Sequence, residues 1–451
     1  MSGPPSLGWI GIVRLGLVQT SLGAIVVLTT STINRVMVVE LALPAMLPGV
    51  LVALHYAVQI LRPRLGYGSD VGGRRTPWII GGMAALAVGG VGAAAATAWM
   101  GTDRLAGIAL AVAAFMLIGL GVGASGTSLL VLLAKRVDAR RRAAAAPNAW
   151  GMLILGFIVT ATVAGHFLDP FSPARLVAVT ASVAAIAFVV TLLAVWRIEG
   201  PAAPAVAAPE GSADKPAFRV ALRQVWSEPV ARRFAVFVFV SMLAYSAQDL
   251  ILEPFAGAVF GLTPGESTQL SGVQHGGVLL GMILVGVAGS ASRNGRFGSM
   301  RAWAIGGCIG SALALSALAL AALAGPAWPL RASVFALGVA NGAFAIAAIG
   351  SMMALVSSGR QAREGVRMGL WGAAQAVAFG LGGFLGTAAV DLARLLIGSP
   401  AVAYAAVFAG EAALFLVAGA LAGRLGQIQG GRERLPVSNT GGAYAAEIAR
   451  G

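Results

Sequence analysis

Twelve apolar stretches, each separated from the next by a short polar, basic or glycine-rich segment, run along the 451 residues of this chain. They cover roughly residues 12–32, 43–62, 78–99, 106–132, 148–167, 175–196, 234–252, 268–289, 302–324, 332–356, 368–390 and 400–422. Each is close to the ~20 apolar residues a helix needs to cross a bilayer. The pattern predicts an all-α integral membrane protein with twelve transmembrane helices, and an even number puts both termini on one side. One interval breaks the rhythm. Pro201, Pro204, Pro209 and Pro216 mark a flexible linker, and Phe218–Trp226, with Arg219 and Arg223 on one side, reads as a short helix on the membrane surface. The expected organisation is a six-helix half over 1–197, a linker over 198–232, a second half over 233–425 and a polar, disordered tail over 426–451.

Composition removes the soluble alternatives. The chain is 58% hydrophobic and 11% charged, with a mean hydropathy of +0.85, which a polytopic membrane protein needs and a soluble one does not. A single cysteine, Cys308, excludes an intrachain disulfide and argues against a metal–thiolate site. The N-terminus does not read as a cleavable signal, since Arg14 follows polar Ser2 and Ser6 with no small-residue cleavage site after a short apolar core. The net charge of +14 raises nucleic acid as a partner, but its distribution answers the question. Of the 31 Lys and Arg residues, 26 fall on the side of the termini and 5 on the other. That bias puts both termini in the cytoplasm, and it accounts for the basic balance through topology and anionic lipid, with no nucleic acid.

Between the second and third stretches lies Gly66-Tyr67-Gly68-Ser69-Asp70-Val71-Gly72-Gly73-Arg74-Arg75. Glycines let two helix ends approach, and a carboxylate such as Asp70 is stabilised near a helix N-terminus. The segment resembles the loop signature of the major facilitator superfamily. That resemblance implies two pseudo-symmetric six-helix halves, with Gly66, Asp70, Gly73, Arg74 and Arg75 as a gating and structural motif. Asp70 is expected near the start of helix 11, around Gly365–Gly369, and Arg74 or Arg75 near Asp138. The second half has no proper copy, because Ser292 stands where an aspartate is needed. Other echoes support the repeat. Trp371-Gly372 follows Trp150-Gly151 by 221 positions, Trp303 follows Trp78 by 225, and His275 follows His55 by 220.

Polar groups inside apolar spans are costly and often functional. His55 lies mid-span with Gln59 one turn on, and His275 follows Gln274. Asn341, Gln375 and Glu411 also fall within spans. Asn34, Arg35 and Glu40 are expected at the end of helix 1, Asp249 and Glu253 at the end of helix 7, and His166 and Asp169 at the outer end of helix 5, all readable as interfacial caps. Each has an alternative reading as a hydrogen-bonded packing contact. Glycines such as Gly119, Gly121 and Gly123 read as helix-packing positions, since they lie within a span and so do not form a phosphate loop. The interior is expected to lack the carboxylate–arginine network of a proton-coupled carrier.

Several further stretches resemble the PucC family (PucC/LhaA-type light-harvesting complex assembly proteins). They are residues 11–20, 29–40, Arg62-Pro63-Arg64, 69–78, Gln248-Asp249-Leu250-Ile251-Leu252-Glu253-Pro254-Phe255 and 368–375. The resemblance spans essentially the whole chain. It implies an assembly factor, not an enzyme, in the inner membrane of a purple phototrophic bacterium. Its expected partners are antenna polypeptides, bacteriochlorophyll and the lipid bilayer, with pigment-synthesis enzymes as further candidates. The family supplies no pigment-binding motif to map, so the residues must suggest one. Bacteriochlorophyll presents a magnesium open to an axial ligand, for which neutral histidine is suited. His55 or His275 is the expected magnesium ligand, with Gln59 and Gln274 orienting the imidazoles or bonding pigment carbonyls. A small-molecule or porphyrin-type transporter, and a chaperone that binds only polypeptide, remain as alternatives.

Overall fold

The computed structural model describes residues 7–62, 74–137, 139–199, 226–291, 299–357 and 364–432. Twelve long helices are found among them. The first half comprises α1 (Trp9–Glu40), α2 (Met46–Leu61), α3 (Thr76–Met100), α4 (Arg104–Arg136), α5 (Ala139–Leu168) and α6 (Pro173–Val195). The second comprises α7 (Pro229–Phe260), α8 (Pro264–Ala291), α9 (Met300–Ala324), α10 (Leu330–Ser357), α11 (Glu364–Ile397) and α12 (Pro400–Arg432). Eleven have the length and hydropathy to cross a membrane, and α2 is a shorter apolar helix. This is a multi-pass membrane protein. Of the linker expected over 198–232, residues 200–225 lie outside the described residues, and α7 already begins within it at Pro229.

Packing repeats between the halves. In the first, α1 lies against α5 and α6, α3 against α4 and α6, and α2 against α4; in the second, α7 lies against α11 and α12, α9 against α10 and α12, and α8 against α10. Every one of these pairs has its counterpart six helices on, as an internal repeat requires. Each half buries its own apolar core. The halves join through α5 against α8 and α2 against α11, again a matched pair. Large apolar side chains such as Leu105, Leu193, Leu313 and Leu395 stay exposed on the outside, as side chains that meet lipid can.

Glycines set the tightest crossings. A Cβ on Gly121 would stand 2.6 Å from the Gly82 carbonyl oxygen, and one on Gly342 would stand 2.0 Å from that of Val278. One on Gly119 would stand 2.6 Å from the His55 carbonyl oxygen, so Gly119 and Gly121 do pack helices as read. Several helix ends differ from expectation. α1 runs on to Glu40, α7 to Phe260, and α12 to Arg432, into the segment expected as tail. At α1 and α7 hydropathy falls where the buried polar residues Asn34, Arg35 and Glu253 begin, so it places those two ends too early.

Candidate functional site

Because α1 and α7 are longer than their apolar runs, the polar residues expected as end caps lie inside the helix contact between the halves. Two π-helical stretches, Leu28–Thr32 and Val36–Glu40, widen α1 here, a distortion frequent at functional positions. Ser31 Oγ lies 3.3 Å from Ser271 Oγ, and Thr32 Oγ1 lies 2.9 Å from Thr268 Oγ1. Asn34 donates through Nδ2 to the Leu250 carbonyl at 2.6 Å. That carbonyl is free for a chemical reason, since Pro254, four residues on, has no N–H to bond it. Arg35 is 2% exposed. It donates to Glu40 Oε1 at 2.5 Å and to the Leu262 carbonyl at 2.6 Å. Gly257 makes room for it, since a Cβ there would come 3.0 Å from the guanidinium. Glu253 is buried, and neither carboxylate oxygen has a hydrogen-bond partner of standard geometry among the described residues. The Ser31 and Ser271 hydroxyls flank it, and Arg35 is within electrostatic range. The interior is thus richer in ionic groups than hydropathy suggested.

One turn along α8, His275 is partly buried, with its ring edge-on to Phe157 of α5 at 4.7 Å. Its Nδ1 lies 2.8 Å from the Ser271 carbonyl. A carbonyl can only accept, so Nδ1 carries the proton and Nε2 presents its lone pair. Gln274 turns elsewhere, toward Asp249 of α7. Asp249 also lies in range of Tyr56 and Tyr245, whose rings both meet Phe379 of α11. His55 is committed differently. It is buried, its Nε2 lies 2.9 Å from Gln59 Nε2, and its Nδ1 has no partner among the described residues. Gln59 Oε1 in turn accepts from Arg62. The two histidines hold matching places in the repeat yet have different surroundings.

At the end of the bundle away from the termini, two aspartates close the junction. Asp169, after α5, accepts from Thr263 Oγ1 at 2.5 Å and from the Gly265 N–H at 3.2 Å at the start of α8. Asp391 of α11 accepts from the Ala45 and Met46 N–H groups at 3.0 and 2.7 Å at the start of α2. Asp169 was read as an interfacial cap, and it caps a helix of the other half. Thr263 and Glu266 also cap each other's amides, at 3.0 and 3.1 Å, a capping box written in the sequence as Thr-Pro-Gly-Glu.

Of the loop signature, Gly66, Asp70 and Gly73 lie outside the described residues, as does Asp138. Arg74 is exposed and Arg75 buried. The α3 N-terminus beside them is capped by Glu199, which accepts from the Arg75 and Thr76 N–H groups and the Thr76 hydroxyl at 2.7–2.9 Å. Among the other mid-span polar residues, Asn341 accepts from Ser311 at 2.8 Å. Among the described residues, Gln375 reaches the Met242 sulfur, at 3.9 Å. Glu411 is buried, with neither oxygen bonded among the described residues.

Twelve helices in two repeated halves, joined by α2–α11 and α5–α8, define a major facilitator-type membrane protein. Solved structures agree. A peptide transporter of the POT type matches with a TM-score of 0.68 at 14% identity, over 94% of this chain and 97% of its own. The nucleoside transporter NupG matches with a TM-score of 0.66 at 14% identity, over 92% and 99%. The family is closer still: the family model described as PUCC protein matches residues 32–429, so the chain belongs to the PucC family. The "Bacteriochlorophyll synthase 44.5 kDa chain" of Rhodobacter capsulatus is 54% identical over 92% of this chain and 95% of that relative. "Protein PucC" of the same organism is 30% identical over 91% of each chain.

Proposed function

We propose that this protein serves bacterial light-harvesting assembly by holding or delivering bacteriochlorophyll and by engaging antenna polypeptides, as a carrier and not a catalyst. The carrying observation is His275. With Nδ1–H committed to the Ser271 carbonyl at 2.8 Å, Nε2 is left as the lone-pair atom that a tetrapyrrole magnesium requires. His55 is the weaker candidate, because Gln59 occupies its Nε2. Bound there, the pigment's magnesium would supply a Lewis-acidic fifth coordination site, while Phe157 offers an apolar edge to the ring. The relative named for bacteriochlorophyll synthase and the PucC relatives support a photosynthetic role. The loop charges support a placement in the inner membrane with both termini in the cytoplasm. A reporter active only outside that membrane, fused after Arg432, should be silent.

The deciding experiment is the visible and near-infrared spectrum of the gently purified protein, with identification of co-purifying peptides. Bound bacteriochlorophyll supports the carrier reading. Antenna peptide without pigment overturns the pigment role and leaves a polypeptide chaperone. The second reading, a small-molecule or porphyrin-type transporter, is favoured by the buried Arg35–Glu40 pair and Glu253 in a transporter fold. It gains if neither pigment nor peptide is found.

A further inference from the structure

The Arg35–Glu40–Glu253 cluster is not needed for the reading of His275 as a pigment ligand, and its geometry points to a different task. Arg35 of α1 ties the end of its own helix to the second half through the Leu262 carbonyl, while Glu40 neutralises it. Glu253 of α7 sits within electrostatic range, buried, flanked by the Ser31 and Ser271 hydroxyls but with no hydrogen bond of standard geometry to either oxygen among the described residues. An ionised carboxylate left so is expensive, and the guanidinium that might compensate it is already paired. A metal cation is a poor occupant, because Arg35 repels it. A proton on the carboxyl removes the charge at no such cost.

We propose that Glu253 is a proton-binding switch that controls closure of the junction at the end away from the termini. With the proton in place, Arg35 keeps Glu40 and Leu262, and α1 is held against the α7–α8 turn, as in this structure. When the Glu253 O–H bond breaks, the proton passes to water and a carboxylate remains. That carboxylate draws Arg35 from Glu40 and from the Leu262 carbonyl, and the tie between halves loosens. A polar route toward the bundle interior exists. Ser31 and Ser271 flank the carboxyl and lie 3.3 Å apart, and His275 follows one turn on along α8.

The neighbours define what else bears on this group. From α1 they are Arg35 with Glu40, and from α8 Ser271 and then His275. On α7 itself Asp249 lies one turn away, and on α12 Glu411 is in range of Asp249. On α11, Asp391 is committed to the α2 amides and Arg394 to the Tyr404 hydroxyl. Arg35 is the cation that these contacts leave free to change partner. The inference requires no pigment and stands apart from the reading above.

The test uses the full chain in lipid nanodiscs, without pigment. Spin labels go on T102C and A327C, exposed positions in the α3–α4 and α9–α10 connections at the end away from the termini. Buried Cys308 is left in place. In the otherwise native protein, raising the pH should convert a single short distance into a mixture with a longer one. E253Q should keep the short distance at every pH. E253D should respond with a displaced midpoint, and it serves as the test should E253Q fail to fold. A native response that survives in E253Q, an unchanged midpoint in E253D, or no pH response in the native protein would each overturn the proposal.

Discussion

Asn34 of α1 donates to the carbonyl of Leu250 in α7 at 2.6 Å, and it can do so because Pro254 leaves that carbonyl without its own helical partner. The proline inside a helix of one half thus creates the acceptor that the other half reads. Removing the amide should strand a buried carbonyl, at a cost of about 1–3 kcal/mol. N34A should lower the midpoint of chemical unfolding in detergent. P254A restores an N–H that competes for Leu250, so N34A should cost less in the P254A background. Additive effects in that double-mutant cycle would show that the two are uncoupled.

The aspartate pair makes a second prediction. Asp391 lies 222 positions after Asp169, and the amides they cap, Ala45 and Gly265, are 220 apart. One device therefore recurs across the repeat, a carboxylate at a helix end binding the N-terminus of a helix in the opposite half. D169N and D391N should each weaken closure by about 0.5–2 kcal/mol, the range for lost caps. In a T268C reporter, buried between α1 and α8, thiol labelling should rise in each variant and most in the double. Equal labelling in all would show that the caps do not hold the junction.

The histidines should separate. H275L should lose co-purifying bacteriochlorophyll while protein yield is maintained, because it removes the available Nε2. H55L should keep the pigment, since His55 Nε2 is taken by Gln59. Pigment retained in H275L and lost in H55L would reverse the assignment, and pigment retained in both would falsify the ligand role of either.

The α8–α10 crossing depends on backbones in contact. Gly342 faces the Val278 carbonyl and Gly338 that of Gln274, with room for a Cβ at only 2.0 and 2.1 Å. G342V should destabilise the second half by roughly 1–3 kcal/mol or more, the cost of overpacking where nothing yields. G306V, at a position with open space around it, should change the thermal midpoint little. Similar losses in both would mean that valine itself, and not the crossing, is responsible.

Apolar runs of spanning length and the Trp and His echoes between halves determined the twelve helices and their two-fold repeat, while the family rested on particular stretches such as residues 29–40 and 248–255. These are local or periodic properties, and the bilayer enforces them because backbone groups in lipid must be satisfied within each helix. The polar cluster was legible only as residue names. Asn34, Arg35, Glu40 and Glu253 read as helix ends because hydropathy falls when charged groups enter, whether they face water or a partner helix. Only the packing of α1 against α7 and α8 decided which. The two histidines that the repeat makes equivalent are told apart within their own helices, where Gln59, four residues on, meets His55 Nε2 and the Ser271 carbonyl, four residues back, takes the His275 Nδ1 proton. Across the junction the outcome depends on which carbonyl or side chain lies a few ångströms away, and those neighbours come from helices more than 200 positions apart in the chain.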